Sequence, residues 1–133
     1  MYQNIDFKIV EGNKDLPLEY LLNIKKNWKS EINEGKTYTN GKLFTMIGVD
    51  TSEETIHIYL QETDFAHYLY SRKNDINRYS CRSIAANVLF LTNDNYFVLG
   101  KMGTSTSLAN KVKFIGGSFD KSDFAGDNMI DVN

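Results

Sequence analysis

With 133 residues, 41 % of them hydrophobic and 24 % charged, the chain has the length and composition of one domain with its own core. Its 17 acidic and 15 basic residues leave a formal charge of −2, which gives no general attraction to a nucleic-acid polymer and leaves room for a small basic pocket. Cys81 is the sole cysteine, so an intrachain disulfide is excluded and a reducing, cytoplasmic location is expected. The N-terminus lacks the basic and apolar run of a signal peptide, and nothing approaches the roughly 18 unbroken apolar residues of a membrane span.

Ile5 to Val10 alternates apolar and polar residues before Glu11-Gly12-Asn13, which predicts a strand and then a turn. Asp15-Leu16-Pro17 opens a helix, with proline near the first helical position, where its missing N–H costs nothing. Leu18, Leu21, Ile24, Trp28 and Ile32 recur at helical spacing as one apolar stripe, and Gly35 is the predicted stop. Lys25, Lys26 and Lys29 lie away from most of that stripe and are read as a solvated face rather than a membrane contact. Asn40-Gly41 marks a turn. Lys42 to Val49 and Thr55 to Gln61 predict a hairpin across Asp50 to Glu54, with Ile56, Ile58 and Leu60 on one face of its second strand. Thr63-Asp64 reads as a helix cap, followed by Phe65, Tyr68 and Leu69 on one helical face and an end near Arg72.

Lys73 to Tyr79 is polar and reads as a linker. Ser83 to Leu91 is apolar on both faces and predicts a central strand. Thr92 to Asn95 is a tight turn, and Tyr96 to Met102 its returning antiparallel partner. A small, polar stretch from Gly103 to Asn110 precedes a strand, Lys111 to Ile115, that runs into Gly116-Gly117.

An apolar strand, an Asn/Asp turn, a second strand ending on Lys101, a loop and a strand closing on Gly-Gly together resemble the entry to the Nudix hydrolase fold. Val112-Lys113-Phe114-Ile115-Gly116-Gly117 is similar to that family's Trp-x-Phe/Leu-Pro-Gly-Gly, with Val112 where an aromatic is common and Ile115 where proline is common. Asn40 to Phe44 and Thr63 to Arg72 look more loosely like the N-terminal extension of nucleotide-sugar diphosphatases in the same superfamily. The resemblance implies a single α+β domain over residues 1–133. A partial Nudix-like mixed sheet would occupy 83–133, and an N-terminal extension of helix, β-hairpin and short helix would occupy 1–72. It also implies a pyrophosphohydrolase that needs Mg²⁺ to cleave a nucleoside diphosphate linked to another moiety, such as a sugar. In such enzymes glutamates one turn apart on a helix hold the ion, which neutralises the diphosphate and lowers the pKa of the attacking water.

That helix carries Arg-Glu-x-x-Glu-Glu, and no such run exists in these residues. Counted from Gly117, the signature's first carboxylate falls on Asp123, and its Arg-Glu falls on Asp131-Val132. The expectation is therefore a truncated domain that stops before the catalytic helix and is inactive by itself, with no catalytic residue of its own. For the residues present, the resemblance implies the Gly116 carbonyl as a backbone metal ligand with Asp123 near it. It implies Lys101 and Arg82 as basic contacts to phosphate, and Gly117 as a point of close backbone approach. Solvated strand ends are the competing reading for both basic residues. The rival function is a non-catalytic Nudix-like module that binds a ligand or protein. An uncovered sheet face at Val88, Phe90, Phe97 and Leu99 would then mediate self-association.

Other constellations carry less. His57 reads as a surface residue, and His67, beside Tyr68 and Tyr70, as packing or a ligand contact; with one cysteine they make no zinc set. Cys81 reads as a buried thiol rather than a nucleophile. Asp120, Asp123, Asp127 and Asp131 miss the calcium-loop pattern and read as an exposed loop, and Gly103 to Ser107 lacks the Gly-Lys-Ser/Thr of a P-loop.

Overall fold

A computed structural model of the chain describes residues 4–13, 15–52, 54–74, 76–125 and 129–130. Strand β1 (Asn4–Asn13) continues through Glu11-Gly12-Asn13, where a turn was predicted. Gly12 takes φ +98° and the register shifts between Ile9 and Asn13, so the glycine lets the strand bulge instead of ending it. Helix α1 (Leu18–Asn33) begins after Pro17, which stands at the N-cap with an extended backbone. It ends as predicted: Gly35 at φ +83° donates its N–H to the Ile32 carbonyl at 3.0 Å, and the Lys36 N–H reaches the Glu31 carbonyl at 3.1 Å. These paired bonds satisfy carbonyls that a helix end otherwise leaves without partners.

The face that α1 turns inward takes only part of the predicted stripe: Ile24 is buried and Trp28 half-buried, packed against Tyr38 and Phe65. Ile24 and Glu31 are buried, whereas Leu18 is 72 % exposed and Leu21, Leu22 and Ile32 are exposed too. The inner face runs Tyr20, Ile24, Asn27, Glu31, at the i, i+4, i+7 spacing of one helix side. Its polar members find partners on helix α2 (Phe65–Lys73): the Tyr20 hydroxyl lies 3.4 Å from Ser71 Oγ, and Lys73 donates to the Glu31 carboxylate. Those partnered polar groups outcompete the leucines for the interior, because the wall they meet on α2 is itself part polar.

Strands β2 (Lys42–Asp50) and β3 (Thr55–Asp64) form the predicted antiparallel hairpin, and β1 joins β3 in parallel. The strand order β1-β3-β2 makes a mixed sheet with β3 at its centre, and Leu60 on β3, between Ile9 and Met46, is fully buried. β3 passes into α2 without a loop. Asp64 caps it as predicted, accepting the His67 N–H at 2.9 Å. The Asn40-Gly41 turn completes the cap: Asn40 Oδ1 accepts the Ala66 N–H at 2.7 Å, and the Gly41 carbonyl takes the Phe65 N–H at 2.9 Å. Phe7 and Phe44, on the two outer strands, share the face of Ile58 and Leu60 by register. Phe119 closes on Phe7 at 5.8 Å and Phe124 on Phe44 at 5.1 Å between ring centroids.

Residues 85–118 form a separate pattern. Strands β4 (Ala85–Val88), β5 (Phe90–Leu91), β6 (Phe97–Val98), β7 (Gly100–Lys101), β8 (Val112–Lys113) and β9 (Ile115–Ser118) are the halves of bent strands that break at Leu89, Leu99 and Phe114. β4 pairs with β9, β5 with β6 and β7 with β8, all antiparallel, so each bent strand serves both of its neighbours and the set closes into a ring. Tyr96 to Met102 is thus only half a partner for Ser83 to Leu91; its second half turns to Val112-Lys113. The strand expected to be central has Ala85 to Leu91 exposed throughout. Successive residues of a strand alternate faces, so this unbroken exposure leaves both faces of the segment uncovered. Beyond it, a 3₁₀ turn (Lys121–Asp123) leads to a short antiparallel pair, β10 (Phe124–Ala125) and β11 (Met129–Ile130).

The architecture is α+β, and no described helix is long and apolar enough to cross a membrane. Leu60→Ala is expected to lower the unfolding free energy by about 2–5 kcal/mol, read from the midpoint of a urea titration. Leu18→Ala, on the solvent side of α1, should change it by less than about 0.5 kcal/mol.

Candidate functional site

The ring is fastened to the sheet through the segment before it. His67 is buried, and its Nε2 lies 2.8 Å from the Tyr79 carbonyl. A carbonyl has no proton to give, so Nε2–H donates to it, and Nδ1 lies 2.7 Å from the Thr63 hydroxyl. Of the two expectations for His67, packing describes this arrangement. Next, the Cys81 N–H donates to Ser71 Oγ at 2.8 Å, and the Arg82 N–H to buried Thr45 Oγ1 at 2.9 Å. The Met46 N–H donates to the Arg82 carbonyl at 2.9 Å, and Thr45 bridges Ser83. The backbone of Arg82 is therefore stitched to β2 while its side chain is exposed. His57, read as a surface residue, is instead half-buried, with Nδ1 3.0 Å from Asp6 Oδ2 on β1.

The double glycine divides its work. Gly116 lies opposite Asn87, and a Cβ there would sit 2.0 Å from the Ala86 carbonyl oxygen and 2.8 Å from Asn87 Cα. No side chain fits against that backbone. Gly117, opposite Ala86, has nothing within 4 Å of an added Cβ and is exposed. Lys101 is exposed on β7 opposite Val112, which leads along the same bent strand to Gly116, at most about 13 Å of extended chain. Arg82 precedes Ala85, which pairs with Ser118. Arg82 thus stands on the β2 side ahead of the ring and Lys101 on β7 within it, and neither has an ion-pair partner among the described residues.

Asp123 is engaged locally. Its Oδ2 accepts the Asp120 N–H at 2.6 Å, while Asp120 Oδ1 accepts from the Ser122 N–H at 3.0 Å and the Ser122 hydroxyl at 2.9 Å. This is a reciprocal capping box on the 3₁₀ turn. The Ser122 backbone N–H, helped by its hydroxyl, holds the Asp120 carboxyl below its usual 3.8; the Ser52 backbone N–H does the same for Asp50. Magnesium is bound through carboxylates together with substrate phosphate and water. One backbone carbonyl and one capping carboxylate do not make that donor set, and no cluster of three His, Cys, Asp or Glu able to hold a metal occurs among the described residues. Asp127 and Asp131 lie outside those residues.

Sequence reasoning missed a second concavity. A groove of about 990 Å³ runs along α1 beside the β3–α2 junction, lined among others by Leu21, Leu22, Trp28 and the lysines 25, 26 and 29. Its residues were read from the sequence as an apolar core stripe and, away from most of it, a solvated lysine face. Comparison with models of protein families, with curated proteins and with solved structures returned no match.

Gly116→Ala should destabilise the chain by about 1–3 kcal/mol through overpacking against Ala86, whereas Gly117→Ala should be neutral within about 0.5 kcal/mol; denaturant titration of both variants checks the contrast. The Asp120 cap stabilises the folded form above the unfolded carboxyl value of 3.8 and is lost as pH falls through its lower folded value. Carboxyl NMR titration should place the Asp120 midpoint below 3.8, and Ser122→Ala should raise it.

Proposed function

We propose that these residues form the phosphate-facing front of a Nudix-type pyrophosphohydrolase, acting on a nucleoside diphosphate linked to another moiety such as a sugar. The observation that carries this reading is the double glycine. Gly116 brings strand backbones together without room for a side chain, and Gly117 keeps the next stretch of backbone open to a solute. Exposed Lys101 and Arg82, with no carboxylate partners among the described residues, supply charge for a diphosphate. The Mg²⁺-holding glutamate helix of such enzymes has no counterpart in the sequence. The reading therefore assigns ligand positioning to these residues and bond cleavage to carboxylates outside them.

The test compares two proteins with UDP-glucose and ADP-ribose in the presence of Mg²⁺. The 133-residue chain should be inactive, and a protein continuing into an Arg-Glu-x-x-Glu-Glu helix should hydrolyse one or both. In that longer protein Lys101→Ala should raise KM about tenfold or more, the loss of one charge-assisted bond to phosphate. Full activity in the shorter chain would show that the catalytic groups lie elsewhere.

A second reading, a non-catalytic module that associates through its sheet, is favoured by the ring surface. Val88 (51 %), Phe90 (49 %), Phe97 (57 %) and Leu99 (48 %) all face solvent. By register Phe90 shares a face with Val98 and Phe97 the other face with Leu91, so apolar residues are exposed on both sides of this pair, as at interaction surfaces. Sedimentation over a range of concentrations should show reversible association that Phe97→Asp abolishes. A wild-type chain that stays monomeric throughout removes this reading.

A further inference from the structure

We propose that the groove between α1 and the β3–α2 junction is a docking site for an acidic, amphipathic helical segment of a partner protein. Leu18, Leu21 and Leu22 face solvent at the start of the helix, and Lys25, Lys26 and Lys29 follow within the next two turns. Tyr20 and Glu31 take partners on α2, which leaves the three leucines at the surface. Opposite them, the β3–α2 junction supplies the other wall of the groove.

Charge identifies the occupant. The lysines 25, 26 and 29 make no ion pair among the described residues. The acidic groups of the groove are already engaged: Glu62 pairs with Lys42 at 2.8 Å, and Asp64 caps α2 and accepts from Asn40 Nδ2 at 3.2 Å. The first N–H groups of α2 are satisfied by Gly41, Asn40 and Asp64, so the helix end offers no anion site of its own. What remains is an apolar floor beside three uncompensated cations.

Shape selects among anionic ligands. From Leu21 to Lys29 the groove follows α1 for about 12 Å, two to three turns of a facing helix. Its volume of about 990 Å³ is open to solvent along one side, so a small molecule would be left half hydrated. A bilayer surface calls for a protruding apolar face, and this one is concave.

Trp28 lines the groove and is the chain's only tryptophan, so its fluorescence reports occupancy directly. The probes are synthetic peptides of about 12 residues, long enough for the groove, free of aromatic residues, with leucines on one helical face, glutamates beside them and varied leucine spacing. At least one should give a saturable change in Trp28 emission, weakened tenfold or more by the triple variant Lys25→Glu/Lys26→Glu/Lys29→Glu and by Leu22→Asp. Circular dichroism confirms that both variants stay folded. Binding should also weaken as salt rises from about 0.05 to 0.5 M. The proposal fails if no peptide gives a saturable change, or if glutamine-for-glutamate peptides or the triple variant bind equally well. It also fails if phosphatidylserine vesicles move the emission and the peptides do not. None of these outcomes bears on hydrolysis at the double glycine, so the two readings stand or fall separately.

Discussion

The buried ring of His67 is the joint between the two halves of this molecule. Placing an imidazole in the interior is unfavourable unless both ring nitrogens are bonded. Here Thr63 answers one and the Tyr79 carbonyl the other, with the Tyr20 ring packed edge-on at 5.8 Å. The Tyr79 bond holds the chain close to α2 as it leaves that helix. Cys81 can then reach Ser71, and Arg82 can reach Thr45, so β4 starts at the edge of β2. Bonds at Ser71 and Arg72 add to that of Tyr79 in placing the second half against α2.

The same preference for polar fastening explains the orientation of α1. Tyr20 and Glu31 each have a partner on α2, and a buried carboxylate that lost its lysine would carry a heavy desolvation cost. Rotating the helix to bury Leu18 and Leu21 would gain apolar burial while stranding those groups. The interior therefore holds the polar side, and the leucines remain at the surface beside the lysines.

Local features were legible in the sequence because their causes are local. Asp64 as a cap, Gly35 as a stop, the β2–β3 hairpin and the Thr92–Asn95 turn each depend on residues a few positions apart, and each stands where it was expected. The capping box at Asp120 and Asp123 was equally local, and its Asp-x-x-Asp spacing could have been recognised before any metal role for Asp123 was weighed. What could not be read depends on distant partners. The inner face of α1 is decided by Ser71 and Lys73, the parallel pairing of β1 by β3, and the ring by half-strands that exchange neighbours at Leu89, Leu99 and Phe114. At the candidate site the Gly-Gly pair was visible. The different demands on its two members were not, because they come from the path of the Ala86–Asn87 backbone.

These arrangements share one consequence. Among the described residues the buried set contains Glu31, Thr45, His67, Ser71 and Ser80 as well as Ile24, Phe44, Leu60, Ala66 and Leu69, so the interior is about as polar as it is apolar. In a chain that is 41 % hydrophobic, much apolar surface is then left outside, on the ring and on α1. Single exposed apolar residues are ordinary on any protein, but so many on the ring strands and at the start of α1 are not. Interior hydrogen bonds join the two halves, and one ion pair fixes α1 on α2. The apolar residues are thereby released to surfaces where a ligand, a covering segment or a partner can use them, and both proposed roles draw on that surplus.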